Sequence, residues 1–245
     1  ALKEKVKPVL FINKVDRLIA ELQVTPEDMM QRFGKIITEV NKLIVRMVPE
    51  EFKKEWMVDA QAGTVAFGSA YHNWATSLPF MAKKNVNFKQ IYEFMEKDQR
   101  RELAKAAPLH EVLLDMIVEK LPSADAAQKY RIPHIWRGES EEDIGQAMVN
   151  ANANGDSAFM VTKVVLDPHA GEIAVGRLFS GTIKKGDQMY VAGMPNANRV
   201  QSVGMFVGGD RIATENVTAG NIIAVSGLRD CLLYTSPSPR DQVVS

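Results

Sequence analysis

Apolar positions follow two different periods along this chain. In the first half they recur at helical spacing behind short apolar runs, and beyond residue 157 they alternate. Val9, Leu10, Phe11 and Ile12 form one continuous apolar run, the pattern of a strand covered on both faces in a parallel sheet. Thr25, Pro26, Glu27 and Asp28 open a helix. Thr25 suits the N-cap, Pro26 suits the first helical position, and the two acids complement the helix dipole. Behind them Met29, Phe33, Ile36, Ile37, Val40, Leu43, Ile44 and Met47 repeat at helical spacing until Pro49, so they are expected to face inward. Residues 56–58 and 65–67 are expected as short strands around a turn at 59–63. Two more helices follow. One carries Phe88, Ile91, Tyr92 and Met95. The other starts at Pro108, turns Leu109, Val112, Leu113, Met116, Ile117 and Leu121 inward, and stops at Pro122.

Residues 123–156 read as a connector, with Pro133 and the loop-like NANANGDS at 150–157. The runs FMVTKVVLD, EIAVGRLFSGTI, DQMYVAG, RVQSVGMFV and NIIAVSG then alternate, separated by Gly, Pro, Asn and Asp. Short strands at this spacing predict a small closed β-barrel over 157–230. Gly171 and Gly186 fall where hairpins turn, whereas Gly176 and Gly181 lie inside strands and predict bulges or close backbone approach.

Composition narrows the picture only a little. The 245 residues, 46% hydrophobic and 24% charged, are enough for about two globular domains of ~100–150 residues. Thirty basic and thirty acidic residues cancel, so net charge argues neither for nucleic acid nor for a membrane surface. No apolar stretch approaches the roughly 20 residues that span a bilayer, and no signal peptide opens the chain. A single cysteine, Cys231, excludes an intrachain disulfide and fits a reducing, cytoplasmic setting. His72, His110, His134 and His169 are scattered over different elements. They read as surface or packing residues, with no metal site among them.

Candidate chemistry sits at the end of the first strand. Asn13, Lys14 and Asp16 have the Asn-Lys-any-Asp spacing of a guanine reader. Guanine offers two adjacent donors, N1–H and the 2-amino group, and one carboxylate accepts both, so Asp16 would select guanine over adenine. The stem of Lys14 would lie over the purine face and the Asn13 amide would tie the loop to its neighbours. A parallel strand delivers such residues to the carboxyl edge of the sheet, where α/β folds bind ligands. An ordinary charged surface turn is the competing reading of the same four residues. Ser69 and Ala70, after a second apolar strand, supply the context in which a backbone N–H donates to guanine O6, and they favour the guanine reading.

Several longer stretches resemble the translation elongation factor 2 family, in order along the chain. They are FINKVDRLIAELQVTPEDMMQRF, VAFGSAYHNW, HEVLLDMIVEKLPSADAAQKYRIPHIWRGE and GRLFSGTIKKGDQMYV. The resemblance covers residues 1–230. It implies an α/β P-loop GTPase domain, of which residues 1–122 are the C-terminal part, followed by a small all-β translation-factor barrel, domain II of the family, over 157–230. It further implies GTP/GDP as ligand, with Mg²⁺ in the complete protein. The ribosome (rRNA and ribosomal proteins) and tRNA are the implied partners of a monomer that promotes translocation. Carried over residue by residue, Asn13, Lys14 and Asp16 are similar to the family's guanine-reading motif, and Ser69 and Ala70 to its second base-contacting loop. The family's phosphate loop, switch segments and Mg²⁺ ligands have no counterpart here and are expected upstream of Ala1. The chain alone is therefore expected to be inactive, since phosphoryl transfer depends on those parts. A termination or recycling paralogue, or a non-enzymatic ribosome-binding barrel module, stays open as an alternative. The stretch 231–245 reads either as a segment with Ser-Pro phosphorylation sites or, because CLLYTSPSPRD resembles a translated sequencing adapter, as a non-native tail.

Overall fold

The computed structural model describes residues 1–84, 86–138, 141–168, 170–192 and 194–228. His169, Cys231 and the whole 231–245 stretch therefore lie outside the described residues. The chain divides into two compact units, Ala1–Pro122 and Ser123–Ser245.

The first unit runs β1 (Leu10–Ile12), α1 (Val15–Ala20), α2 (Pro26–Met47), α3 (Glu50–Trp56), β2 (Val65–Ser69), β3 (Trp74–Thr76), α4 (Leu78–Lys84), α5 (Phe88–Glu96), α6 (Arg100–Ala106) and α7 (Leu109–Lys120). Its sheet has the order β1-β2-β3. The β1–β2 pair is parallel, with Ile12 opposite Phe67, and β3 returns antiparallel to β2. The middle strand is buried along its whole length. Its Phe67 stacks on Phe33 of α2 at 4.6 Å between ring centroids and meets Phe88 of α5 edge-on at 6.0 Å, which pins two helices to one strand.

α2 begins as its residues predict, with the Thr25 hydroxyl accepting the Asp28 N–H at 3.2 Å and Pro26 at the first position. Its burial is narrower than its periodicity. Met29, Phe33 and Ile44 are buried, whereas Ile36, Leu43 and Met47 are exposed. A helix of 22 residues is about 33 Å long, and three strands of 3–5 residues are too small to cover it. On α7, Val112 and Met116 are buried but Ile117 is exposed.

Residues 56–58 are not a strand. Trp56 ends α3, and the extended residue after Met57 finds its partners on a helix. Asn41 of α2 accepts the Val58 N–H at 2.8 Å and donates to the Val58 carbonyl at 2.9 Å. One side-chain amide thus does what a neighbouring strand would otherwise do.

The second unit contains α8 (Ala124–Ile135), α9 (Asp143–Val149) and the strands β4 (Ala158–Asp167), β5 (Gly171–Ser180), β6 (Thr182–Lys184), β7 (Gln188–Tyr190), β8 (Ala197–Arg199), β9 (Ser202–Val207), β10 (Asp210–Thr214), β11 (Asn216–Thr218) and β12 (Ile222–Ser226). The ladders form a five-stranded antiparallel sheet of order β10-β9-β12-β5-β4 and two ribbons, β6–β11 and β7–β8. Leu178, Ile183, Val203, Val217, Ile223 and Val225, from both the sheet and a ribbon, share one core. This is the barrel module expected from the alternating runs. At Gly176 a Cβ would lie 2.0 Å from the Met160 carbonyl oxygen of β4, and the β4–β5 register shifts between Val161 and Lys163, so the glycine marks a bulge. Gly186 takes φ 95° in the turn before β7.

Residues 123–156, expected as a connector, carry α8 and α9 packed on the barrel. Ile132 and Met148 bury against Phe179 of β5. Buried Gln128 ties the three elements together. Its amide N–H groups donate to the carbonyls of Met148 and Phe179, and its oxygen accepts from Arg177 at 3.2 Å. Burial, and secondarily the neighbouring Arg131, lower the pKa of the Arg177 guanidinium.

Candidate functional site

The parallel pairing of β1 with β2 sends both following loops to the same edge of the sheet. Asn13 leaves β1 there, and Ala70 leaves β2. The Asn13 side-chain oxygen accepts the Ala70 N–H at 2.9 Å and the Lys14 N–H at 2.8 Å. A single amide therefore joins two loops separated by 57 positions. Lys14 follows in the left-handed region, at φ 65° and ψ 31°, as the N-cap residue of α1. Val15 and Ile19, both buried, anchor that short helix and leave Asp16 on its open side.

Asp16 is recessed rather than exposed. Its side chain is 15% exposed and faces His72, whose side chain is 21% exposed, with Oδ2 3.6 Å from Nε2. That separation is too long for a hydrogen bond. Among the described residues nothing donates a hydrogen bond to the Asp16 carboxylate, so a recessed acceptor pair is left for a ligand with donors.

The second loop is built around Ser69, which is buried. Its hydroxyl accepts the His72 N–H at 3.3 Å, and Asn73, at φ 56°, donates its N–H to the Ala70 carbonyl at 3.4 Å to close the turn. Ser69 thus shapes the loop from inside, and Ala70 offers backbone to the site. Gly68 is a steric requirement. A Cβ there would fall 2.3 Å from the Trp74 carbonyl oxygen of β3, so the strand that carries the loop tolerates no side chain at that position. The Tyr71 ring is 86% exposed and meets the His72 ring edge-on at 4.8 Å.

All five residues singled out in the sequence, Asn13, Lys14, Asp16, Ser69 and Ala70, come to this one edge. His72 is the neighbour that sequence reading passed over as an ordinary histidine. No period or motif marks it, because it reaches Asp16 through a turn whose shape depends on Ser69 and Asn73. His110 and His134 are exposed. Among the described residues no group of three or more His, Cys, Asp or Glu side chains is placed to hold a metal ion, and no helix is long and apolar enough to cross a membrane.

Comparison with known proteins agrees with both halves of this architecture. Residues 1–123 match the family described as Elongation factor Tu GTP binding domain, and residues 156–234 match Elongation factor G domain 2. The second match runs a few residues into the stretch 231–245 that sequence reading sets apart. The chain is 56% identical over 238 residues to Elongation factor 2 of Picrophilus torridus, covering 97% of this chain. It is 55% identical to the proteins of the same name from Methanococcus vannielii and Pyrococcus horikoshii, over 94% and 95% of this chain. The chain spans about a third, 32%, of the length of each of these curated relatives.

Proposed function

The chain belongs to the elongation factor 2 family, and on that premise we propose that Asn13, Lys14, Asp16 and the backbone at Ala70 recognise the guanine base of GTP and GDP. Asp16 accepts the N1–H and 2-amino donors of the base. Guanine O6 accepts from a backbone N–H of the 70–71 loop, in which the Ala70 N–H is itself donated to the Asn13 side-chain oxygen. Adenine carries an amino donor at the corresponding position and would meet a donor there, so the loop rejects it. The aliphatic stem of Lys14 covers one purine face. Ser69 contributes by holding the loop.

The observation that carries this reading is the Asp16 carboxylate, recessed to 15% exposure and given no hydrogen-bond donor by the described chain. In the complete protein, Asp16→Asn should move base preference from guanine toward xanthine. Xanthine replaces the 2-amino donor with a carbonyl, which an amide N–H satisfies. Competition binding with GDP and xanthosine diphosphate measures the change, and an Asp16→Asn protein that kept its full preference for guanine would remove Asp16 from the site.

For the complete protein we infer GTP hydrolysis on the ribosome, coupled to movement of tRNA and mRNA, with Mg²⁺ accompanying the nucleotide phosphates. It would act in the cytoplasm as a monomer. Support comes from the shared name of the relatives and from the order of the two matched domains. Translocation by the complete protein on programmed ribosomes, with GTP against a non-hydrolysable analogue, tests it.

A further inference from the structure

We propose that His72 is a positioning residue for base recognition, orienting the Asp16 carboxylate so that both of its oxygens face the purine edge. The inference rests on the assignment of Asp16 as the guanine reader and adds what holds that reader in place.

A carboxylate that reads two parallel donors must present its plane to the plane of the base. Among the described residues none donates a hydrogen bond to Asp16 to set that plane, and the His72 imidazole lies 3.6 Å from Oδ2. The main chain that carries the imidazole is held in place. The His72 backbone N–H is tied to the buried Ser69 hydroxyl at 3.3 Å. The turn is closed on its far side by Asn73, whose carbonyl accepts the Leu109 N–H of α7 at 3.1 Å. The Tyr71 ring abuts the imidazole edge-on and limits its rotation. A closure of a few tenths of an ångström brings Nε2 within about 3.2 Å of Oδ2, the outer limit of a good N–H···O bond. That bond takes one lone pair of Oδ2. An ionised carboxylate has about four acceptor positions, so the remaining ones stay available to N1–H and the 2-amino group.

The cost of losing such support falls on discrimination. Hypoxanthine lacks the 2-amino group and needs only one carboxylate oxygen, so a carboxylate free to rotate still serves it. Guanine needs both oxygens at once. Removing the imidazole should therefore weaken a guanine nucleotide by about five- to tenfold, the worth of one oriented hydrogen bond, and weaken a hypoxanthine nucleotide much less.

The test is displacement of a fluorescent guanine nucleotide from the complete protein by GDP, inosine diphosphate and xanthosine diphosphate. Four variants are compared with the parent: His72→Ala, His72→Phe, His72→Gln and Asp16→Asn. His72→Ala and His72→Phe should lower the preference for GDP over inosine diphosphate about five- to tenfold. The phenyl ring keeps the packing against Tyr71, so a shared loss in both variants separates the missing N–H from a damaged fold. His72→Gln, which returns an N–H donor near the same place, should restore most of the preference. If both ring-donor deletions keep the parental preference while Asp16→Asn moves toward xanthosine diphosphate, His72 has no positioning role and the base-reader assignment stands. If Asp16→Asn fails to move, the base-reader assignment falls and takes this inference with it.

Discussion

Lys14 occupies a backbone conformation that L-residues other than glycine rarely adopt, φ 65° and ψ 31°. It does so because Asn13 closes a tight link from β1 to α1 by accepting the Lys14 N–H. The left-handed region costs a residue with a Cβ roughly 1–2 kcal/mol. Glycine at position 14 should therefore be more stable than alanine by about 1 kcal/mol, the reverse of their order in a helix interior. Urea unfolding of Lys14→Gly and Lys14→Ala measures this directly, and an alanine variant at least as stable would contradict the account. Both should bind GDP more weakly than the parent, having lost the lysine stem. Asn13 carries a different load. Truncation in Asn13→Ala leaves the Ala70 and Lys14 N–H groups to water, and should cost about 0.5–1.5 kcal/mol of stability together with most of the guanine affinity. These residue types stand out in sequence because the proposed recognition of guanine calls for them. His72 is not, since its part depends on where a turn aims it.

Between residues 41 and 58 a side chain substitutes for a strand. The apolar run Trp56-Met57-Val58 has the look of a strand, yet the Val58 backbone is satisfied from α2 by Asn41 with Val58 itself only 1% exposed. In Asn41→Leu both Val58 groups would be left buried without partners, so a loss of about 2–4 kcal/mol is expected in thermal or urea unfolding. A loss below about 0.5 kcal/mol would show that water replaces the amide. Gln128 makes the same point in the second unit. Residues 123–156 are polar and broken by a proline, so they read as a connector, but buried Gln128 joins α8 to the carbonyls of α9 and β5. Gln128→Leu should release protection from hydrogen exchange across α8 and α9 while leaving β9 and β12 protected. Uniform protection would place the stability of these helices elsewhere. The strand β10 escaped sequence reading for a related reason. β10 contributes no buried residue and is held to β9 by its backbone ladder, which leaves no alternating apolar signal.

At the scale of the molecule, apolar surface remains uncovered in the first unit. Among the described residues β1 has a partner on one side only. Leu114 and Val118, one turn apart on α7, are 57% and 80% exposed, and Leu43 and Val45 of α2 are 52% and 44% exposed. A free strand edge and exposed apolar positions each favour association. Light scattering of the 245-residue chain should rise with concentration. Leu114→Lys combined with Val118→Lys should reduce it while changing stability by no more than about 0.5 kcal/mol per site. A monodisperse parent at high concentration would contradict this expectation.

Sequence alone determined the α/β half, the barrel half and the helix starts at Thr25 and Pro108, and it named the residues proposed as a guanine reader. Each of these rests on short-range rules: a period, a cap, or a donor–acceptor pattern carried by neighbouring positions. Tertiary structure decided the rest. It brought Asn13 to Ala70 across 57 positions, set His72 against Asp16, gave Val58 a partner on α2 and turned an expected connector into two packed helices. Those contacts join residues far apart in the chain, which no short-range rule carries, and at Val58 and Gln128 the physical reason is that polar groups are buried only where a partner already waits.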